Sequence, residues 1–347
     1  MRKSSIRFYV IVVILAAFIS ASCSKKQEAP DESGEARRPD PVSVILGIMP
    51  YMSNAVFHIG IEEGYFADEG LLIERISARS SNEVITGLVS GEIDIGAPTI
   101  HPAFFNVIAK GASIRFVLPL TEFNDSACAY IGFLARQSDI DAGTYSSPSQ
   151  WKDAWITSST AKTFSTPDYV TDVALQTVGL DLEDVNLKLI SLPVQAEALK
   201  SGQVDLVFAV EPWITRMTAS EEIGLLMPVE SFVNGLTASL VSYGRKVLEN
   251  PEIGERFAVA YLKAARKYME GKTPRNVQLI SDFTGLEKEL VERVCWSYVS
   301  VDGDINIDLI MENQRWLNEH GLIDQLLQPE QFLDTRFREF ARKAARK

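Results

Sequence analysis

From residue 42 to about residue 233, the chain alternates short apolar runs with segments whose apolar residues recur at helical spacing. The runs are rich in Val, Ile and Leu, and those at 42–48, 93–97 and 204–210 are closely followed by Pro, as expected for buried strands of largely parallel sheets. We predict strands at 42–48, 71–76, 93–97, 114–120, 161–164, 186–190 and 204–210. We predict helices at 55–63, 80–89, 103–110, 167–178 and 195–201. This alternation predicts an α/β fold built from open sheets with helices on both faces.

Two stretches share one local pattern, in which a helix, Ser-Gly, Asp, an apolar strand and Pro follow one another. They are GLVSGEIDIGAP at 87–98 and ALKSGQVDLVFAVEP at 198–212. We interpret them as matching elements of two similar lobes, not as a tandem repeat array. After about residue 251 the periodicity is helical, around 256–269, 286–295 and 309–320, which predicts a C-terminal helical segment.

The N-terminal segment has a different pattern. Residues 1–7 are basic, residues 8–19 are apolar, and small residues precede Cys23, which together are typical of a secretory signal over residues 1–22. The apolar run is shorter than the roughly 20 residues that a membrane-spanning helix needs. The segment resembles the lipobox of bacterial lipoproteins, except that Ser20 stands where that pattern prefers Leu, Val or Ile. The resemblance implies lipidation of Cys23; ordinary cleavage or an uncleaved anchor is the alternative.

Residues 23–41 are rich in Glu, Lys, Arg, Pro and Ser and contain no aromatic residue. Such a segment buries too little apolar area to offset its chain entropy, so it predicts a flexible tether. We therefore expect the folded body to work in the periplasm or at the outer face of the cytoplasmic membrane, held by its lipid.

The composition argues against nucleic-acid binding and against a metal site. The formal net charge of −12 becomes about −15 without the basic signal segment, and such a charge disfavours nucleic-acid binding, which depends on contacts of Lys and Arg with phosphates. The three cysteines show no paired Cys-x-x-Cys spacing, so we expect neither a disulfide staple nor structural zinc. His58, His101 and His320 form no metal-binding pattern, and we expect no metal and no cofactor.

Several landmarks in order resemble a known family, the periplasmic solute-binding proteins of nitrate, sulfonate, taurine and thiamine-pyrimidine importers, also called the SsuA/THI5-like group. The landmarks are GIEEGYFADEGLLIE at 60–74, LVSGEIDIGAP at 88–98, AKGASIRFV at 109–117, ALKSGQVDLVFAVEPW at 198–213 and GLID at 321–324. The resemblance covers most of residues 42–325.

The resemblance implies a two-lobe type II periplasmic-binding fold, in which each lobe is a mostly parallel sheet flanked by helices. Lobe one would comprise residues 42–133 and 234–347, and lobe two residues 134–233. The two crossings would form a hinge that closes around a small-molecule ligand. The implied partners are the permease and ATPase subunits of an ABC importer, and we expect a monomer.

Ligands of open α/β sheets bind beyond the carboxyl ends of the strands. The candidate ligand contacts in these loops are Tyr51, Ser53, Asn54, Ser81, Asn82, Thr99, Thr166, Tyr169, Glu211 and Trp213. The hydroxyl and amide residues lie at predicted helix starts, where backbone N–H groups favour an anionic or acceptor-rich solute, although such residues can serve only as caps. The aromatic residues could provide flat walls or ordinary packing.

Two of these positions carry more specific expectations. Glu211 follows an apolar strand and is either an acceptor for an amine or amidine in the cleft, which we favour, or a structural carboxylate at the hinge. Asn54 stands where family members that bind thiamine-type pyrimidines often carry a histidine, which argues against a pyrimidine ligand. The expected solute is aromatic, heterocyclic or sulfonate-like.

Catalysis is not expected, because the chain has no Gly-x-Ser-x-Gly elbow and no glycine-rich phosphate loop. The alternatives are an enzyme on the same fold, such as a pyrimidine synthase or a chorismate-processing enzyme, and a ligand-sensing module of a membrane receptor. The secretory signal favours solute capture over either enzyme.

Overall fold

The computed structural model describes residues 41–124, 128–158 and 166–345. The predicted strand at 161–164, the signal segment, Cys23 and all of the predicted tether except residue 41 lie outside this part of the chain. Within it, no helix combines the length and the apolar character that crossing a bilayer requires.

The predicted strands within the described residues are present in the predicted order, and four strands at 131–136, 155–158, 223–228 and 237–243 were not predicted. The strands are β1 (Val42–Ile48), β2 (Leu71–Ser77), β3 (Ile95–Gly96), β4 (Arg115–Glu122), β5 (Ile131–Arg136), β6 (Trp155–Ser158), β7 (Asn186–Leu189), β8 (Val207–Val210), β9 (Ile223–Pro228) and β10 (Thr237–Tyr243). β1 has the predicted bounds because its inner residues Val44 and Leu46 are fully buried and Pro50 follows it.

Helices connect the strands and make up most of the chain after β10. They are α1 (Ala55–Glu62), α2 (Tyr65–Asp68), α3 (Ser81–Ser90), α4 (Pro102–Ala109), α5 (Gln137–Asp141), α6 (Thr166–Gln176), α7 (Leu192–Lys200), α8 (Trp213–Met217), α9 (Glu230–Val233), α10 (Arg245–Glu249), α11 (Pro251–Met269), α12 (Pro274–Thr284), α13 (Lys288–Arg293), α14 (Ile307–Glu319), α15 (Pro329–Phe332) and α16 (Arg336–Ala344). The predicted C-terminal helical segment corresponds to α11 and the helices after it, and the short helix α10 lies directly before it.

The first sheet has the strand order β2-β1-β3-β10-β4. β1 pairs in parallel with β2 and β3, whereas β10 is antiparallel to both β3 and β4. The strands β1 to β4 therefore run in one direction, and their carboxyl ends lie along one edge. The loops after β1, β3 and β4 meet at this edge, where ligands of α/β sheets usually bind.

The second group of strands repeats this plan. β5 lies between β8 and β9 and is antiparallel to both, while β6 and β7 form a parallel pair. A parallel bridge from Ile156 to Leu206 connects β6 to the start of β8. β5 and β10 are thus the strands that run against their neighbours, and each is the first strand after a crossing between sheets.

We call the two connections the first crossover, residues 123–130, and the second crossover, residues 229–236; residues 125–127 of the first lie outside the described part of the chain. One apolar cluster spans both sheets, since it contains Phe116 of β4 together with Phe133 of β5 and Trp151. Val229 and Val233 of the second crossover belong to it as well. The crossovers therefore lie against continuous apolar packing.

A disulfide joins Cys128 of the first crossover to Cys295, 167 residues later in the C-terminal helical segment. The expectation that the chain contains no disulfide staple was wrong. It rested on the number and spacing of the cysteines, which carry no information on a pairing over such a distance. The bond fixes the first crossover to the segment that follows α13.

The disulfide closes a long loop and should stabilise the fold mainly by restricting the unfolded chain. We expect the double variant C128S/C295S to lose about 2–5 kcal/mol of unfolding free energy in denaturant titrations. Dithiothreitol should destabilise the wild type by a similar amount and leave the variant unchanged. Detection of free thiols at both Cys128 and Cys295 in unfolded, unreduced protein would show that the bond is absent.

Candidate functional site

The loop after β1 carries three of the predicted ligand contacts. Ser53 and Asn54 are buried in a short 3₁₀ turn, whereas Tyr51 is 52% exposed. Asn54 Nδ2 donates to the backbone oxygen of Met49 over 2.8 Å, and Asn54 Oδ1 has no hydrogen-bond partner among the described residues. A buried amide oxygen without a partner is costly, so this oxygen has an unused capacity to accept a hydrogen bond.

Ser81 and Thr99 come together across the first sheet, at the start of α3 and after β3. Their hydroxyl oxygens lie 2.9 Å apart, and the backbone N–H of Thr99 donates to Ser81 Oγ over 3.1 Å. The capping role that Ser81 could have had is taken by Ser80, whose hydroxyl accepts from the N–H of Glu83. Ser81 therefore connects two loops of the edge, while Asn82 is exposed to solvent.

Glu211 is a buried carboxylate at the end of β8. Its Oε1 accepts hydrogen bonds from the backbone N–H of Cys295 at 3.1 Å and the Thr215 hydroxyl at 2.8 Å. Its Oε2 accepts from the backbone N–H of Thr215 at 3.0 Å, which satisfies a free donor in the first turn of α8. These contacts match the structural-carboxylate alternative, because they connect β8 to the segment beside the disulfide.

Tyr130 lies between Glu211 and the loop after β1. Its backbone oxygen accepts from the N–H of Glu211, and its hydroxyl group is hydrogen-bonded to the side chain of Ser53. Burial is the main cause that raises the pKa of the Tyr130 hydroxyl, so this group stays protonated at neutral pH. The predicted contacts Ser53 and Glu211 are thus brought together through Tyr130.

Thr166 and Tyr169 lie in the first turn of α6. The ring of Tyr169 is buried and packs edge-to-face on Trp316 of α14, with ring centroids 5.4 Å apart. Burial, with a further contribution from Glu312, raises the pKa of Tyr169 to about 12. The Trp316 indole N–H donates to Asp172 of α6 over 2.6 Å, so α6 and α14 are held together. Tyr169 contacts α14 through Trp316, and among the described residues no ring contact joins it to another predicted ligand contact.

Trp213 begins α8 and is only partly buried. The guanidinium of Arg216 lies over its ring, 5.2 Å from the centroid, and the ring packs on the apolar residues around Ile214 and Met217. A cation over an indole ring stabilises by about 0.5–1 kcal/mol at an exposed site. Trp213 therefore has a packing role here, with part of its surface still open.

Two of the three histidines, His58 and His101, make structural contacts. His101 Nδ1 accepts from the N–H of Ala103 and caps α4, while His58 stacks on Phe283 with ring centroids 5.7 Å apart. Burial lowers the pKa of both imidazoles, so both are neutral near pH 7. Nowhere in residues 41–124, 128–158 and 166–345 do three or more His, Cys, Asp or Glu side chains gather to hold a metal.

A cavity of ≈ 70 Å³ lies at the junction of the two crossovers. We call it the junction cavity. Its polar walls are Glu122 at the end of β4, Asn124, and Glu230 of α9. Its other walls are Tyr130, Trp296, Tyr298, Met269 and the disulfide at Cys128.

Sequence reasoning did not identify the junction cavity. Glu122 and Tyr130 flank the first crossover, whose sequence has no strong periodicity, and Trp296 and Tyr298 lie in a stretch interpreted only as helical. The two aromatic residues that directly follow Cys295, Trp296 and Tyr298, were the available signal, but the disulfide that brings them to the crossover was not expected.

Comparison with known proteins places these features in context. The model of the NMT1-like family matches residues 37–280. A formylaminopyrimidine-binding protein of Halalkalibacterium halodurans is 29% identical over 135 residues, which cover 39% of this chain and 38% of the relative. The chain thus aligns with well under half the length of this curated relative.

Solved structures with the same fold cover most of the chain. The periplasmic aliphatic sulphonate binding protein SsuA of Escherichia coli superimposes with a TM-score of 0.67 at 14% identity, over 85% of this chain and 98% of that protein. The desulfurization enzyme DSZB superimposes with a TM-score of 0.62 at 14% identity, over 88% and 100% of the two chains. The two-lobe type II periplasmic-binding fold predicted from the sequence is confirmed.

The contacts of Glu211 can be tested directly. We expect Glu211→Ala to lower the free energy of unfolding by about 1–3 kcal/mol, because it leaves the buried N–H of Cys295 unpaired. Glu211→Gln, which keeps one acceptor oxygen, should cost less. Glu221→Ala, at an exposed position ten residues further on, serves as the control and should stay within about 0.5 kcal/mol of wild type. Equal stabilities of E211A and E221A in urea titrations would contradict a structural role of Glu211.

Proposed function

This chain belongs to the NMT1-like family, and we propose that it captures a small organic solute between two hinged lobes outside the cytoplasm and delivers it to an ABC importer. The observation that carries the proposal is the arrangement of the sheets. Each sheet contains one reversed strand, β5 or β10, placed directly after a crossover. Two connections of this kind permit bending while both sheets keep their own pairing.

The proposed lobes are residues 42–133 with 234–347, and residues 134–233. The boundaries fall within β5 and after α9, on either side of the junction cavity. The solute would contact the edge formed by the loops after β1 and β3, where the buried Asn54 Oδ1 has no partner among the described residues and the Ser81 and Thr99 hydroxyls lie together. On the second lobe, Thr166, Tyr169 and Trp213 would complete the contacts.

The solute class follows from these groups. Buried hydroxyl and amide groups beside aromatic rings suit a small aromatic, heterocyclic or sulfonate-like molecule. The formylaminopyrimidine-binding relative adds a pyrimidine to this range, although Asn54 stands where pyrimidine-binding members of the family often carry a histidine, which argued against a pyrimidine ligand. The proposed protein is a monomer that delivers one solute molecule to the permease.

Export and anchoring are part of the proposal. Residues 1–22 would direct export, and a lipid on Cys23 would hold the protein at the membrane through residues 23–41. The Cys128–Cys295 disulfide supports an oxidising compartment, since such bonds are rare in the cytosol. The proposed partners are therefore the membrane permease with its ATPase, and the lipid bilayer.

An enzyme on the same fold is the second candidate. The similarity to the desulfurization enzyme DSZB favours it, since that protein shares the fold over 88% of this chain. An enzyme would convert a candidate solute, whereas a binding protein returns it unchanged. Mass spectrometry of solutes after incubation with the protein separates these outcomes.

The proposed function predicts that the purified protein retains or gains a small solute. Native mass spectrometry should show a co-purified molecule, and a screen of pyrimidines, flavins, sulfonates, nitrate and aromatic carboxylates should raise the melting temperature. A ligand at 100 times its dissociation constant adds about 2.7 kcal/mol of stability. If no solute co-purifies and no class raises the melting temperature, solute capture is contradicted.

A further inference from the structure

The junction cavity has a chemistry that the loop contacts do not share. Two carboxylates, Glu122 and Glu230, line it, and none of its described lining residues is Lys, Arg or His. Three aromatic side chains, Tyr130, Trp296 and Tyr298, form much of the remaining wall. Carboxylates attract a cation, and ring faces attract one as well through their quadrupoles.

Contacts with the surrounding structure hold the Trp296 ring and the backbone of Tyr298 in place before any ligand arrives. The Trp296 indole N–H donates to the backbone oxygen of Val291 over 2.9 Å, and its ring lies 5.3 Å from that of Tyr268. The backbone oxygen of Tyr298 accepts from the N–H of Glu122 over 3.1 Å. Because the Trp296 ring is already held by these contacts, a ligand loses little entropy in ordering it.

The surroundings of Glu122 disfavour its negative charge. Burial is the main cause that raises the pKa of Glu122, and the nearby Asp304 carboxylate raises it further. The hydrogen bond from Asn124 acts in the opposite direction and lowers this pKa. Asp304 itself is paired with Arg342 at 2.9 Å and lies 3.9 Å from Arg338, so part of its charge is balanced. A cation bound in the cavity would stabilise the charged form of Glu122, which the protein alone disfavours.

The volume and the lining of the junction cavity favour an organic cation over a metal ion. At about 10–15 Å³ for each small group, the ≈ 70 Å³ cavity has room for roughly five non-hydrogen atoms. Two carboxylates provide fewer protein ligands than metal sites usually have, whereas flat rings and the Met269 thioether suit a weakly hydrated organic cation. Tyr130 also reaches the loop after β1 through Ser53, so one ring connects the cavity to the proposed ligand site.

We propose that the junction cavity binds the protonated amine, amidine or guanidine group of the captured solute, an inference that rests on the proposed function and specifies its solute class. The cationic group would lie between Glu122 and Glu230, with the aromatic rings against its faces. The rest of the solute would extend past Tyr130 toward Ser53 and Asn54. Because both crossovers line the cavity, occupancy there would act where the lobes join.

The test compares two probes of the same size and different charge. Methylguanidinium and methylurea each have five non-hydrogen atoms, but only the first is a cation. Isothermal titration calorimetry of the full chain in low-salt buffer should show methylguanidinium binding at least tenfold more tightly than methylurea. Equal affinities, or no heat from methylguanidinium, would overturn the inference without requiring any variant to fold.

Variants locate the site. Glu122→Gln should weaken methylguanidinium binding at least tenfold, and Tyr298→Leu should weaken it by a smaller factor. Glu74→Gln, which neutralises an exposed carboxylate of β2 outside the cavity, is the matched control and should change binding less than twofold. Circular dichroism verifies that each variant is folded. If E122Q is folded and binds as the wild type does, the cation lies elsewhere and the inference fails.

The outcomes also separate this inference from the proposed function. A neutral or anionic solute that co-purifies while methylguanidinium fails to bind would overturn the cation site and leave solute capture intact. Binding of methylguanidinium in the cavity, with no co-purified solute and no response in the solute screen, would support the site and contradict the importer function.

Discussion

At the junction of the two crossovers, a buried carboxylate and a disulfide connect parts of the chain that are far apart in sequence. Glu211 closes β8 and binds the N–H of Cys295, while Cys295 is bonded to Cys128 of the first crossover. Tyr130 contacts both Glu211 and Ser53 of the loop after β1. Together with the apolar cluster that spans both sheets, these contacts set the relative position of the sheets, because they lie where the chain crosses from one sheet to the other.

Local patterning was sufficient for most of the fold. The strand at 42–48 was predicted with its observed bounds because its apolar run ends at Pro50, and α3 begins after Ser80 as the cluster of small polar residues indicated. Strand β10, a buried Thr237–Tyr243 that pairs against its neighbours, was not predicted. Its sequence alternates small polar and apolar residues, and its burial on both faces arises only from the neighbours that the topology provides.

The candidate site was predictable only in part. The rule that ligands bind beyond strand ends identified the loops of Ser53, Ser81 and Thr99, and the structure brings Ser81 to Thr99. The environment of Glu211 depends on a partner 84 residues away, and the disulfide depends on one 167 residues away. No local pattern encodes such pairings, so the junction cavity with its carboxylates and rings could be recognised only in three dimensions.

The central claim is that the two lobes bend about the crossovers and close on a solute. Spin labels introduced as noncanonical amino acids at the exposed positions Glu74 and Glu183 leave the disulfide intact and report the distance between the two lobes. Double electron–electron resonance should show the distance distribution moving to shorter values when a solute that raises the melting temperature is added. Identical distributions with and without that solute, with binding verified by calorimetry, would contradict hinged closure.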